Sequence, residues 1–306
     1  MTLNELRYIV ALARERHFGR AAEAAFISQP TLSVAVKKLE EELRVQLFER
    51  TKHDVTPTPV GERIVEQAQQ VLEAVQRIRE TARGDADQLH GPLRLGAIYT
   101  IGPYLLPYLV PELHEHAPNM PLILEESYTH ELRRGLKQGE LDAIIISLPF
   151  EEPGVVAMPL YDEPFVAVLP STHPAALKEE IDLSELARED LLMLGPGHCF
   201  RDQIIEHCPE CGRSVSADGH AALGGSSLET LRHMVASGLG VTVLPCTAVG
   251  ADRYAQRLLT VRRLAPPAPS RRVALAWRVS FPRPKAIEAL RQAILACPMS
   301  GVTPVA

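Results

Sequence analysis

Phe26-Ile27-Ser28-Gln29-Pro30-Thr31-Leu32-Ser33 decides how the first part of this chain folds. Ser28 suits a helix N-cap, because its hydroxyl can accept from an amide of the first turn. Pro30 suits that turn, where its missing N–H costs nothing. The helix begun there carries Leu32, Val36, Leu39 and Leu43 on one face, and Gln29, Thr31, Ser33, Lys37 and Lys38 on the other. Upstream, Leu3, Leu6, Ile9, Val10 and Ala13 recur at helical spacing. His17-Phe18-Gly19 interrupts the pattern, and a short second helix follows through Ala21, Ala22 and Ala25. Two short helices joined by a tight turn, the second opening on small polar residues, is the pattern of a helix-turn-helix. Gln29, Thr31 and Ser33 are placed to reach base edges or phosphates, and Lys37 a phosphate. Downstream, Phe48-Glu49-Arg50-Thr51 and Asp54-Val55-Thr56-Pro57-Thr58 can form a wing that sets Arg50 and Lys52 against a nucleic-acid backbone. The DNA-facing set is therefore Ser28, Gln29, Pro30, Thr31, Ser33, Lys37 and Arg50. A three-helix bundle with a merely wet polar face is the competing reading.

Charge lends no weight to DNA. The 306 residues carry a net charge of −6, and the first 58 hold nine Lys or Arg against eight Asp or Glu. The length predicts two or three domains, and 46% hydrophobic with 23% charged residues is ordinary globular composition. Met1-Thr2-Leu3-Asn4-Glu5 leads straight into an amphipathic helix, so no secretory leader is expected, and no apolar run is long enough for a membrane span. Five cysteines fit a reducing cytoplasm better than a disulfide scaffold.

From Thr58 to about Leu89 the chain is rich in Glu, Gln, Arg and Ala. Ile64, Ala68, Val71, Val75, Ile78 and Ala82 are spaced 4, 3, 4, 3, 4, the rhythm of a heptad seam. This predicts a linker helix that pairs with a second copy of the chain. A helix packed on its own domain is the alternative. Gly84-Asp85-Ala86-Asp87 and Gly91-Pro92 mark the exit.

Beyond Pro92, strands and helices alternate, which predicts an α/β sheet with ligand sites at the carboxyl ends of strands. The expected strands include Leu93–Ile98, Leu122–Glu126, Ala143–Ile146, Phe165–Leu169, Leu191–Leu194 and Gly240–Pro245, with Arg272–Trp277 as the last. Helices are expected at Tyr104–Glu115, around Arg133, at Leu228–Ser237 and at Pro282–Ala296. Thr100, Thr129 and Ser147 follow three of these strands and would converge as small hydroxyl donors. Each could instead simply cap the next helix.

The stretch Gly197-His198-Cys199-Phe200-Arg201-Asp202-Gln203-Ile204-Ile205-Glu206-His207-Cys208 reads as a helix stopped by Pro209. Cys199 would sit at its positive end beside a histidine and an arginine, features that favour thiolate. Peroxide attacks a thiolate to give a sulfenic acid, which condenses with a second thiol. Nine helical residues set the Cα atoms of Cys199 and Cys208 about 13 Å apart, whereas a disulfide needs roughly 7 Å or less. A bond between them would have to unwind the helix. Buried, inert cysteines are the bland alternative. Cys211, in Cys-Pro-Glu-Cys, offers another resolving thiol or a second disulfide with Cys208. With His198 or His207 the three thiols could also hold zinc, but one close cysteine pair is a poor zinc signature. Cys246 and Cys297 read as packed bystanders.

The Phe18-Gly19-x-Ala21-Ala22 turn, the Ser28–Ser33 cap and the Leu47-Phe48-x-Arg50 exit occur in order, and from about Leu3 to Gly61 the chain resembles LysR-type transcriptional regulators. The later alternation is similar to that family's two-lobed effector domain, itself like periplasmic binding proteins. The resemblance implies an α/β protein with a winged helix-turn-helix at 1–60, a dimerisation linker helix at 61–90, one lobe at 91–162 and 268–300, and a second lobe with the cysteines at 163–267. Most relatives sense small organic molecules between the lobes. Here Gly197–Gln203 with Cys208, Gly96–Tyr104 and Ser226–Gly238 look like the family's hydrogen-peroxide-sensing branch. That likeness implies a peroxidatic Cys199, a resolving Cys208, and Thr100, Thr129, His198 and Asp202 holding peroxide or water near the sulfur. It implies promoter DNA and hydrogen peroxide as partners, a dimer built into a tetramer, contact with RNA polymerase, activation of antioxidant genes in the cytoplasm, and no cofactor, metal or enzymatic turnover. The alternatives are a regulator of the same family answering a small organic effector with the thiols as bystanders, and a thiol peroxidase. A peroxidase needs neither the helix-turn-helix nor the seam.

Overall fold

The computed structural model describes residues 1–50, 55–83, 88–212, 227–249 and 255–305. Helices α1 (Leu3–Glu15), α2 (Phe18–Ala24) and α3 (Gln29–Leu43) form the first unit, followed by strands β1 (Phe48–Arg50) and β2 (Val55–Pro57). Thr2 and Glu5 close a capping box at the start of α1, His17 caps α2 through its ring, and Ser28 caps α3 by accepting from the Thr31 amide. Leu6, Ile9, Leu12, Leu32, Val36, Leu39, Leu47 and Phe48 are buried together as its core. β1 and β2 pair antiparallel, Phe48 opposite Pro57, and make the wing.

The linker is α4 (Pro59–Arg83). Its first turn lies so close to the wing that a Cβ on Gly61 would stand 2.0 Å from the Leu47 carbonyl oxygen. The predicted seam divides along this helix. Val65 and Ala68 are buried in the helix-turn-helix core and Ile64 packs against it, while Val71 and Ile78 are exposed. The first half of the seam thus serves its own domain. The Ala82 side chain lies outside what is described. Farther along, Glu73 is buried against Arg278 with Nε to Oε1 at 2.7 Å. Arg278 also donates to the carbonyls of Leu136 and Leu141, and Ser280 to Glu73.

The first lobe is a sheet ordered β4 (Leu122–Ser127), β3 (Leu93–Ile98), β5 (Ala143–Ser147), β11 (Ser270–Arg278) and β6 (Val155–Pro170). β3 runs parallel to β4 and β5, while β11 is antiparallel to β5 and β6. Its helices are α5 (Gly102–His116), α6 (Thr129–Lys137) and α11 (Pro284–Ala296). Ile144, Ile145 and Ile146 lie wholly buried beneath them, as expected for a strand covered on both faces. The second lobe places β9 (Val241–Pro245) and β10 (Leu259–Leu264) antiparallel to the far half of β6, with β8 (Leu191–Leu192) beside β9 and β7 (Glu180–Ile181) beside β10. Helices α7 (Leu183–Leu186), α8 (Cys199–His207), α9 (Leu228–Ala236) and α10 (Ala255–Leu258) complete it.

Two expectations need correcting. The strand at Phe165–Leu169 is the second half of one sixteen-residue strand, β6, that runs through both lobes. The strand at Arg272–Trp277 is not the last, because β12 (Thr303–Pro304) follows and pairs with β6.

Candidate functional site

Cys199 is the first residue of α8, with His198 as its N-cap residue. It lines a small cavity with Ile98, Thr100, Tyr128, Thr129 and His198 at the ends of β3 and β4. The space there for the centre of a water-sized molecule is about 10 Å³, close to what one water needs. That space suits a molecule of the size of water or peroxide.

The walls differ in what they offer. The Thr129 hydroxyl is buried without a hydrogen-bond partner. A buried orphan hydroxyl in a native site calls for a ligand or water. The Thr100 hydroxyl accepts from Arg271 Nη1 at 2.7 Å, and the Thr100 carbonyl accepts from Nη2 at 2.8 Å. With an acceptor lone pair engaged, the Thr100 proton is left to donate. His198 is buried, and burial pulls its ring below the ordinary histidine range, against the opposing charge of Asp202. A neutral imidazole can donate and accept at once. The ring meets Tyr128 edge-on at 4.8 Å, and Tyr99 meets Tyr128 at 5.3 Å. Tyr99 and Tyr128 thus line the same cavity as His198.

Arg271 anchors the back of the site. Its guanidinium donates to Glu163 Oε2 at 2.7 Å, and both side chains are fully buried. It also lies 5.6 Å from the ring of Phe200, the second residue of α8. Glu163 accepts in turn from the amide and hydroxyl of Thr247. One network therefore joins Thr100, β11, the lobe-crossing strand β6 and the start of α8.

The sequence-derived candidates separate. Thr100, Thr129, His198 and Cys199 come together. Asp202 is exposed and does not line the cavity, although its charge reaches His198. Ser147 does not join the two threonines either. Its hydroxyl accepts from Gln203 Nε2 at 2.8 Å, tying α8 to the first lobe. Cys208 is the C-cap residue of α8, buried in the second lobe's core, while Cys199 packs against the core of the first. A continuous nine-residue helix stands between the two sulfurs. Cys208 also borders a separate open cavity of about 380 Å³ with His207, Pro209 and Asp182. Among the described residues no group of three or more His, Cys, Asp or Glu side chains could hold a metal.

Sequence reasoning missed Arg271, Glu163, Tyr128 and Gln203. Arg271 and Arg272 standing ahead of an apolar strand were a usable sign, since a charge inside a buried strand demands a partner.

At the DNA-facing end, Gln29, Pro30, Thr31 and Lys37 are exposed on α3 and Ser33 partly so. Lys37 lies 3.7 Å from Glu41, a surface pair that costs little to break. The Arg50 side chain and Lys52 lie outside the described residues. Phe26, in the turn between α2 and α3, is 95% exposed and has φ of +57°. The left-handed region is uncommon for a bulky residue.

Residues 3–62 match the bacterial regulatory helix-turn-helix protein of the lysR family, and residues 86–296 match the LysR substrate binding domain. The DNA-binding transcriptional dual regulator OxyR of Escherichia coli (strain K12) is 42% identical over 296 residues, 97% of this chain and 95% of its own. A full-length OxyR of Pseudomonas aeruginosa superposes with a TM-score of 0.90 at 56% identity, over 99% of this chain and 98% of that one. An H2O2-bound OxyR mutant of Corynebacterium glutamicum gives a TM-score of 0.61 at 35% identity, over 96% of this chain and 91% of its own. The matched regions are the winged helix-turn-helix and the two-lobed domain that holds the Cys199 cavity, and the chain belongs to the lysR family of bacterial regulators, on its OxyR branch.

Proposed function

We propose that this chain is a DNA-binding transcription regulator switched by hydrogen peroxide, with Cys199 as the peroxidatic thiol and Cys208 as its resolving partner. The observation that carries the reading is the cavity itself. A thiol at a helix N-terminus faces an unpartnered buried hydroxyl across a space sized for one water-like molecule. Thr129 would donate to one peroxide oxygen, while Thr100 and His198 hold the other as it leaves. Asp202 would act only at a distance, through its charge on His198. Two electrons pass from the sulfur to the O–O bond, leaving Cys199 as sulfenic acid and releasing hydroxide. Cys208 then displaces the sulfenic oxygen as water. The sulfurs can meet only if α8 comes apart, because about 13 Å of intact helix separates their Cα atoms. Chemistry at one residue thereby becomes a change of packing between lobes.

The reading extends to the rest of the molecule. The α3 face with Ser28, Gln29, Pro30, Thr31, Ser33 and Lys37 would enter a major groove, with Arg50 on the wing against the backbone. The exposed strip of Val71 and Ile78 on α4 would pair two copies, and lobe contacts would build a tetramer that touches RNA polymerase. No helix of the described residues is long and apolar enough to cross a membrane, and a reducing cytoplasm suits a thiol that must start reduced. The protein would act by stoichiometric switching, without turnover or cofactor. An organic effector would have open depressions of about 590 Å³, lined by Leu148, Phe150, Asp162 and Arg272, and of about 380 Å³ beside Cys208, and neither includes Cys199.

The test treats reduced full-length protein with equimolar peroxide, maps disulfides by mass and footprints a bound promoter. A Cys199–Cys208 link with a changed footprint is expected. A Cys199→Ser protein whose footprint still responds to peroxide sinks the reading.

A further inference from the structure

The chain carries a third thiol next to the proposed resolving one. Cys211 Sγ lies 2.7 Å from Cys208 Sγ, and both side chains are buried in the second lobe's core. The Cys211 amide donates to the Cys208 carbonyl at 3.0 Å, so the two residues sit one turn apart. Only Pro209 and Glu210 lie between them. The pair therefore stays together whatever happens to α8. Its Cα atoms fall within the reach of a disulfide without unwinding anything, whereas Cys199 and Cys208 are held apart by the whole helix.

We infer that Cys208 and Cys211 form an internal exchange pair that takes the disulfide over from Cys199, so that the switch times itself out. This rests on the assignment of Cys199 and Cys208 made above. The steps balance with one peroxide. Cys199 thiolate reduces H2O2 to hydroxide and becomes the sulfenic acid. Cys208 attacks that sulfur, forming the Cys199–Cys208 disulfide and water. Cys211, as thiolate, then attacks Cys208 Sγ; a Cys208–Cys211 bond forms, the Cys199–Cys208 bond breaks, and Cys199 leaves as thiolate. The Cys211 proton goes to solvent. Two electrons in all have left the protein, and one disulfide remains. Cys199 is free again and α8 can re-form over it.

Burial sets the order of events. In the packed lobe the Cys211 thiol is pushed far above its usual range, first by loss of solvation and then by its hydrogen bond to Cys208. It is a poor nucleophile there. Forming the Cys199–Cys208 bond dismantles α8, whose Phe200 and Ile204 pack in the same core, and this admits water to Cys211. The exchange thus waits for the signal to be sent. While the Cys208–Cys211 bond lasts, a second peroxide finds Cys199 without its partner, and the sulfenic acid stays exposed to further oxidation.

Trypsin separates the two disulfides. Cys199 falls in peptide 189–201, while Cys208 and Cys211 share peptide 202–213. A Cys199–Cys208 bond joins two peptides; a Cys208–Cys211 bond leaves peptide 202–213 alone and two hydrogens lighter. Full-length reduced protein, with Cys211→Ala and Cys211→Ser variants beside it, would be mixed with one equivalent of peroxide and quenched at intervals with acid and alkylating agent. In wild type the joined peptides are expected to appear first and then decay as the internally bridged peptide grows. In both variants the joined species should last at least ten times longer. Joined peptides that persist equally in all three proteins, with no bridged 202–213, overturn this inference alone. Because the wild-type time course decides by itself, an unfolded variant does not rescue it. A Cys199 that stays unoxidised in every protein removes the peroxide reading and this inference together.

Discussion

Gln203 Nε2 donates to Ser147 Oγ at 2.8 Å and to the Leu148 carbonyl at 3.3 Å, so the helix that carries Cys199 is bonded directly to the end of β5 in the other lobe. Unwinding α8 breaks this tie in the same event that brings the sulfurs together. Replacing Gln203 with Ala should therefore bias the reduced protein toward the oxidised packing. Two shared hydrogen bonds, one to a hydroxyl, are worth about 1 kcal/mol net, which is roughly a fivefold shift in the packing equilibrium. The expected readout is a promoter footprint partly of oxidised type before any peroxide is added. Ser147→Ala should act in the same direction, and the double variant should add little to either. Fully additive effects would mean that the two side chains do not work through each other.

The unpartnered Thr129 hydroxyl separates rate from stability. Thr129→Val removes a donor from the cavity without breaking any bond of the resting protein. The rate of Cys199 oxidation should fall about 100-fold, the usual effect of losing one transition-state donor, while the urea midpoint stays level or rises slightly. Thr100→Val is expected to differ. It strands a buried Arg271 N–H, so it should slow oxidation and also cost about 1–3 kcal/mol in stability. Stopped-flow kinetics beside urea unfolding checks both, and equal stability losses in the two variants would contradict the assignment.

Arg271 and Glu163 are fully buried where β11 pairs with the lobe-crossing strand β6. Breaking a buried pair leaves one uncompensated charge, so Glu163→Ala should destabilise the two-lobed domain by about 3–5 kcal/mol. The loss should also loosen α8, because Arg271 faces Phe200. Cys199 in the reduced Glu163→Ala protein is therefore expected to exchange backbone protons faster at residues 199–201 than wild type. Hydrogen exchange followed by mass spectrometry measures this, and unchanged protection there would uncouple the pair from the switch.

The helices were legible because their signals are local. Ser28, Pro30 and the Leu32–Leu39 stripe fix α3, and the run from Cys199 to Pro209 fixes α8 nearly to the residue. What stayed hidden depends on long-range partners. Pro164 looks like a break between strands, yet it sits opposite Ser270 in the middle of β6 where that strand passes from one lobe to the other. The pairing of Glu163 with Arg271 could not be read from either residue, because the partners stand 108 positions apart. The seam on α4 could not announce that Ala68 belongs to the helix-turn-helix core, since one apolar stripe satisfies either partner. In the cavity, Thr100 and Thr129 could be placed after their strands, whereas His198 joined them as a cavity residue only through the family resemblance. Asp202 came with the same resemblance, and although it lies one turn on from Cys199 along α8, its side chain is exposed and stays out of the cavity. Gln203 looked like any polar helix residue, and only the first lobe's position gives it a role.

The remaining thiols offer a control with a worked sign. Burial pushes Cys246 up to about 12 and Cys297 up to about 11, from an ordinary 9.0. Cys246 is further raised by the charge of Glu163, and Cys297 by that of Glu112. Both are thiols at neutral pH; at pH 8 about one Cys297 in a thousand would be thiolate, and fewer Cys246. Alkylation of either in the folded protein should rise about tenfold per pH unit from 7 to 9 without levelling, since only the thiolate reacts. Their unfolded forms ionise first, so the unfolded chain holds fewer protons above about pH 9, and these two residues make stability fall as pH climbs from there toward 11. A Cys246→Ser, Cys297→Ala protein should accordingly keep the full peroxide response while losing part of that alkaline instability. Alkylation profiles by mass spectrometry from pH 7 to 9 and urea midpoints at pH 8, 9 and 10 test this, and rapid labelling of either thiol at pH 7 would return it to the list of sensors.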